Sequence, residues 1–137
     1  MQPGEIYHHS RFYFDCDGKP HGKYFLVLAI ATGDIIFRPL TSQPRPEIPE
    51  CHHGLPYPSF YLGVPGGRLG KKSWLVLSKS DNEEVAAMAT QLDAGIVAHE
   101  MMLARDLFLR VLECVAAADD TTFAQEQAIR DLLATLR

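Results

Sequence analysis

The 137-residue sequence has no apolar run that approaches the ~20 residues needed to cross a bilayer. One of its longest apolar stretches, residues 24–31, is far shorter than that. The first residues also lack the basic and then apolar pattern of a secretory signal. We therefore expect a cytoplasmic protein with no membrane partner.

Cysteine is scarce as well, with three residues and no pair spaced as CxxC. An odd number without such a pair predicts a reduced intracellular protein, with Cys114 as a core residue of a helix. Soft and borderline zinc ligands occur as Cys16, Cys51, His52 and His53, with His8, His9 or His21 as further donors. No zinc-finger spacing is present, so we expect loop residues and no cofactor, with a metal site as the alternative.

No strong excess of charge marks the whole chain, which is 22% charged and 47% hydrophobic, as globular proteins are. The charges are unevenly distributed, however. Residues 1–79 carry nine Lys and Arg against six Asp and Glu, whereas residues 80–137 carry four against eleven. The basic part can attract a polyanion, which the acidic part would repel or shield. The alternative is that the acidic residues are simply the solvated faces of helices.

The basic part of the chain has the composition of β-strands. Aromatic and β-branched residues predict strands over residues 4–15, 23–31, 35–41, 59–64 and 73–78. The second of these is continuously apolar, as in a central strand covered on both faces. Pro39 cannot donate to a ladder, so we expect it at an edge or a bulge. Five prolines within residues 42–58 predict an extended irregular loop.

The acidic part is helical in pattern. Ser80 and Glu83 form a capping box that predicts a helix through Leu92, and Thr122 with Gln125 predicts the start of another. Between these two, apolar residues recur every three or four positions and predict one long helix: Val97, Met101, Ala104, Phe108, Leu112 and Val115. Strands followed by helices indicate an α+β fold, with a small antiparallel barrel or strongly curved sheet.

Three blocks of sequence carry a resemblance to a known family. They are Gly4-Glu-Ile-Tyr7, Lys23-Tyr-Phe-Leu-Val-Leu28 and Phe37-Arg-Pro-Leu-Thr-Ser42. In order and approximate spacing they resemble blocks of the MazF/PemK/Kid family, the toxins of type II toxin–antitoxin modules. The resemblance implies an SH3-like barrel of about five to seven strands over residues 1–92. Residues 93–137 would then be a helical extension packed on the barrel.

The resemblance also implies a function. It implies a homodimer that cleaves single-stranded RNA without a metal, leaves a 2′,3′-cyclic phosphate and binds an antitoxin protein. That chemistry needs a base for the ribose 2′-OH, a cation for the charge on phosphorus and an acid for the leaving oxygen. The implied catalytic residues are Lys23 as phosphate clamp, Thr41 and Ser42 as hydroxyl partners, and His21 as acid or base.

Basic and aromatic residues of the first 79 positions are candidates for an RNA-binding surface. Candidate RNA-binding residues are Arg38, Arg45, Lys71 and Lys72, with Tyr57, Phe60 and Tyr61 as stacking faces. Alternatively, the aromatic rings pack inside and the charges are solvated.

Lys23 stands where the family has arginine, and lysine lacks the guanidinium fork that binds two phosphate oxygens. The alternative function is therefore a catalytically inactive barrel that binds protein or nucleic acid.

Overall fold

The computed structural model describes residues 1–14, 16–78 and 81–137. The strands are β1 (Glu5–Phe14), β2 (Pro20–Ala31), β3 (Asp34–Thr41), β4 (Cys51–His52), β5 (Ser59–Gly63), β6 (Ser73–Val76), β7 (Asp81–Glu84) and β8 (Val97–Met102). The helices are α1 (Val85–Asp93), α2 (Arg105–Ala116) and α3 (Phe123–Leu136). This order of elements confirms the α+β prediction. None of the described helices is long and apolar enough to span a membrane.

The eight strands form one antiparallel sheet in the order β4-β5-β6-β3-β2-β1-β8, with β7 also paired to β3. Among the described residues these pairings leave the sheet open, with β4 and β8 at its ends, and do not close it into a barrel. The five strands predicted from composition are all present. The last residue of the first prediction, Asp15, lies outside the described residues.

Strand β2 is covered on both faces, as its continuous apolar run predicts. Leu26 and Leu28 belong to one core cluster, together with residues of α2 and α3. Phe25 and Val27 point the opposite way and join a second cluster that contains Met88 of α1. Alternate side chains of a strand face opposite sides, so this one strand connects both halves of the core.

Pro39 was expected at an edge or a bulge, yet it lies on the inner strand β3. On one side of β3, residues 34–37 pair with β7, and residues 40 and 41 pair with β6. Pro39 belongs to neither of these ladders, so on this side its missing N–H interrupts no pairing among the described residues.

The helical predictions for the acidic part need two corrections. Residues Val97–Met102 form β8, which pairs with β1, and the second helix begins only at Arg105. The four-residue spacing of Val97 and Met101 fits a strand as well as a helix, so the pattern could not separate the two. The sheet therefore extends past the boundary expected at residue 92.

The two capping boxes predicted from the sequence have different outcomes. Residues Asp81–Glu84 pair with β3, so α1 begins at Val85, and Ser80 of the predicted capping box lies outside the described residues. The capping box of α3 is confirmed. The Thr122 hydroxyl accepts a hydrogen bond from the Gln125 backbone N–H, and the Gln125 side chain accepts one from the Thr122 N–H.

The helices α2 and α3 complete the core, so removing buried atoms from α2 should destabilise the fold. We expect Leu112→Ala, at a fully buried position, to lower the free energy of unfolding by about 2–5 kcal/mol. Leu109→Ala on the same helix removes the same atoms from a partly buried side chain and should cost clearly less. Urea denaturation measures both, and equal losses would contradict the packing of α2 on the sheet.

Candidate functional site

A cleft of about 990 Å³ opens on the surface of the basic part of the chain. Its walls come from β1, β2 and β3, from the proline-rich loop (residues 42–58) and from the segment between β5 and β6. Every described residue that lines it precedes residue 79. The acidic C-terminal part contributes no described residue to the lining.

The cleft brings together five of the eight predicted catalytic and RNA-binding residues. They are Lys23, Thr41, Ser42, Arg45 and Lys71. His21 does not line the cleft, but its ring stacks on that of Tyr13, with centroids 4.8 Å apart, and Tyr13 does line it. The two remaining residues, Arg38 and Lys72, point elsewhere.

Arg38 was expected on the RNA-binding surface, but its side chain is fully buried. Its guanidinium donates to the carbonyl of Phe37 at 3.1 Å and, at 3.4 Å, to Thr121 Oγ1 and Gln125 Oε1 at the start of α3. The two-residue period of β3 explains this, because Arg38 shares a strand face with Ile36 and Leu40, which are both core residues. Arg38 is therefore a structural residue that connects the sheet to α3.

Lys72 and one of the predicted stacking rings, Tyr61, anchor the proline-rich loop. Lys72 Nζ lies 3.2 Å from Glu47 Oε1. Hydrogen bonds from Tyr61 and then from Lys72 hold the pKa of Glu47 below its ordinary value. The ring of Tyr61 packs on Trp74, whose indole donates to the carbonyl of Pro46 at 2.9 Å. Phe60, the other ring expected to stack on bases, is buried in the core.

The cleft is strongly cationic. Four of the described residues that line it carry a positive charge: Lys23, Arg45, Arg68 and Lys71. No Asp or Glu occurs among the described lining residues. The chain as a whole has a formal charge of −4, so the positive charge is concentrated here. Sequence analysis missed Arg68 because it lies in a glycine-rich turn, where the backbone N–H of Arg68 is fixed by Glu100 Oε1 at 2.9 Å.

Arg45 carries an unsatisfied donor in the cleft wall. Its guanidinium lies 5.1 Å from the centroid of the Tyr57 ring. Its Nη1 is buried and has no hydrogen-bond partner within the part of the chain that the structure describes. Burial lowers the pKa of Arg45 from its ordinary value, but a guanidinium remains charged in proteins. The rest of the Arg45 side chain lines the cleft, which places a positive charge in its wall.

Comparisons with protein-family models, with curated proteins and with solved structures give no match for this chain.

The chemistry available to the cleft follows from its side chains. Lysine and arginine bind phosphate oxygens, and arginine can bind two at once. Tyr13 and Tyr57 are 48% and 60% exposed and offer ring faces for stacking. The hydroxyls of Thr41 and Ser42 can donate or accept hydrogen bonds. The cleft thus combines binding groups for phosphates, for bases and for sugar hydroxyls.

The cysteines differ from the expectation of a reduced protein. Cys51 in β4 and Cys114 in α2 form a disulfide across 63 residues, and their Cα atoms are 5.8 Å apart. His53 Nε2 lies 3.3 Å from Cys51 Sγ and 3.4 Å from Cys114 Sγ. The possible ligand group among the described residues is therefore Cys51, His53 and Cys114, and it does not include Cys16 or His52. Cys16 is exposed and free.

Substitution of Arg38 should destabilise the fold much more than substitution of Arg45, because Arg38 is buried in the core and Arg45 lines the cleft. Arg38→Ala removes the buried guanidinium that donates to Phe37, Thr121 and Gln125, and it should lower the free energy of unfolding by about 2–4 kcal/mol. Arg45→Ala removes a side chain whose Nη1 has no hydrogen-bond partner among the described residues, so its cost should stay below about 1 kcal/mol. Chemical denaturation of both variants measures the contrast, and the reverse order would show that Arg38 is not the structural residue.

Proposed function

We propose that the cleft binds single-stranded RNA. The observation that carries this proposal is the concentration of four cations, with no acidic residue among the described lining residues, in a chain whose net charge is negative. A nucleic-acid backbone is a polyanion, and neutralising its phosphates with lysine and arginine supplies most of the affinity of such complexes. Arg45 lines the cleft, and its guanidinium is suited to bind phosphate oxygens there.

The aromatic rings support a single strand over a duplex. Proteins that bind single strands combine a basic groove with aromatic faces on which unpaired bases stack. Tyr13 and Tyr57 present such faces in the cleft, whereas the bases of a duplex are already stacked on one another. The hydroxyls of Thr41 and Ser42 are suited to contact the ribose 2′-OH, which is the group that distinguishes RNA from DNA.

Adjacent lysines provide a sharp test, because Lys71 lines the cleft and Lys72 pairs with Glu47. Fluorescence anisotropy with a labelled mixed-sequence single-stranded RNA, measured over a range of salt concentrations, should show weaker binding for Lys71→Ala. The slope of log affinity against log salt should fall by about 0.7, the value for one lost phosphate contact.

Lys72→Ala is the matched control, since it removes the same charge from a residue that does not line the cleft, while Trp74, Arg110 and the disulfide still hold the proline-rich loop. We expect its affinity and salt slope to remain close to those of the unchanged protein. Equal effects of the two substitutions would mean that the lysines act through the overall charge of the protein and not through the cleft. If the unchanged protein does not bind the RNA, the proposal is wrong.

A second candidate function is cleavage of the bound RNA, supported by the presence of Lys23, Thr41 and Ser42 in the same cleft. In this reaction the ribose 2′-oxygen attacks phosphorus and the bond from phosphorus to the 5′-oxygen breaks, giving a 2′,3′-cyclic phosphate and a 5′-hydroxyl. Lys23 would stabilise the charge that develops on the phosphoryl oxygens. His21, beside Tyr13, would transfer protons to or from the reacting oxygens.

Cleavage requires its own test. We expect the purified protein to cleave single-stranded RNA in the presence of EDTA, and Lys23→Ala and Thr41→Ala each to slow cleavage by about 100-fold or more. Lys72→Ala again serves as the control. Gel analysis of end-labelled RNA measures the rates. Binding without cleavage would leave the first proposal intact and reduce the cleft to a binding module.

The same resemblance to toxins suggests two protein partners for the proposed nuclease. One is a second copy of the chain, and the other is an antitoxin that would compete with RNA for the cleft. Sedimentation at increasing concentration tests the first partner, and a single monomeric species at all concentrations would exclude it.

A further inference from the structure

We propose that Cys51, His53 and Cys114 bind a zinc ion when the disulfide between the two cysteines is reduced. We call these three residues the thiol–imidazole cluster. It lies on the side of the proline-rich loop that faces α2, and none of its members lines the cleft. The proposal is therefore independent of RNA binding.

The donor atoms of the cluster are already arranged around one point. The two sulfurs and the ring nitrogen all lie within 4.8 Å of one another. His53 Nε2 is 3.3 Å and 3.4 Å from the two sulfurs. In a tetrahedral zinc site with Zn–S of ~2.3 Å and Zn–N of ~2.0 Å, nitrogen and sulfur ligands are about 3.5 Å apart. Only the separation of the two sulfurs has to change, and reduction allows that change.

Other contacts hold the cysteines near each other without the disulfide. Arg110 lies one helical turn before Cys114, and its guanidinium bonds Glu50, the neighbour of Cys51, at 2.9 Å. The carbonyl of Glu50 accepts a hydrogen bond from the Tyr61 backbone, which fixes β4 on β5. Both thiols therefore stay in place after reduction, and this preorganisation favours binding of a metal.

The ligand chemistry favours zinc over hard cations. Two thiolates and one imidazole form a set of soft and borderline donors, which zinc prefers over the oxygen ligands of Mg²⁺ and Ca²⁺. His53 is exposed, so water can occupy the fourth position of the tetrahedron. In the disulfide form His53 Nε2 lies 2.9 Å from the Cys114 carbonyl and donates to it. Zinc binding requires that proton to move to Nδ1.

The chemical steps balance with a phosphine as reductant. The disulfide accepts two electrons and two protons and becomes two thiols, while the phosphine takes an oxygen atom from water and becomes a phosphine oxide. Zinc then displaces the two thiol protons, because only thiolates bind the metal. The oxidised protein has no thiolate in the cluster and should not bind zinc there.

The test uses the full chain, reduced with a phosphine, incubated with zinc and freed of excess metal by gel filtration. We expect one zinc per chain by elemental analysis in the reduced protein and none in the oxidised protein. With Co²⁺ as a substitute, the reduced protein should show the visible absorption and the sulfur-to-cobalt charge-transfer band of tetrahedral thiolate coordination. Circular dichroism reports whether each sample is folded.

Neighbouring residues supply matched controls. Cys51→Ser should abolish zinc binding, whereas Cys16→Ser should leave it unchanged because Cys16 is an exposed free cysteine. His53→Ala should weaken zinc binding by roughly tenfold or more. His52→Ala removes an identical side chain from outside the cluster and should have no effect.

Three results would overturn the proposal. The first is a reduced, folded protein that retains no zinc, and the second is a reduced protein that unfolds and binds none. The third is equal loss of zinc in the Cys16 and Cys51 variants, or in the His52 and His53 variants, since that would mean binding without the thiol–imidazole cluster.

Discussion

The burial of β2 on both faces is the constraint on which the rest of the molecule depends. Its apolar residues fill two separate clusters, one beneath α2 and α3 and one beneath α1. The strand therefore cannot slide by a residue without exchanging the two sets of side chains. Lys23 lies directly before this buried run, where β2 reaches the surface, so the packing of the core also determines where that cation enters the cleft.

A second set of contacts determines the position of the proline-rich loop. The Trp74 indole, Lys72, Arg110 and the disulfide each fasten a different point of it, from Pro46 to Cys51. A segment whose regular structure is limited to the two residues of β4 is thus held at short intervals by the sheet and by α2. This is why Arg45 and Tyr57 can form a fixed wall of the cleft although neither belongs to a strand or a helix.

What the sequence could predict depended on how local each signal was. The apolar run of β2 and the capping box of α3 involve neighbouring residues, and both predictions are confirmed. The strand β8 was missed because its spacing is ambiguous and its partner β1 lies far away in the chain. The disulfide crosses 63 residues, a pairing that no local pattern encodes. The burial of Arg38, in contrast, was accessible from the alternation along β3, while Arg68 had no such signal.

The separation of charge along the chain has a consequence beyond the cleft. The cationic lining precedes residue 79, whereas most acidic residues follow it, on β7, α1, β8, α2 and α3 and the segments between them. The cleft is therefore a positive region on a molecule of net negative charge. A polyanion at a distance of about one Debye length, ~8 Å at physiological ionic strength, acts on this uneven charge before any contact forms. Although the protein as a whole is repelled by virtue of its net charge, it would turn its cleft toward the polyanion as the two approach.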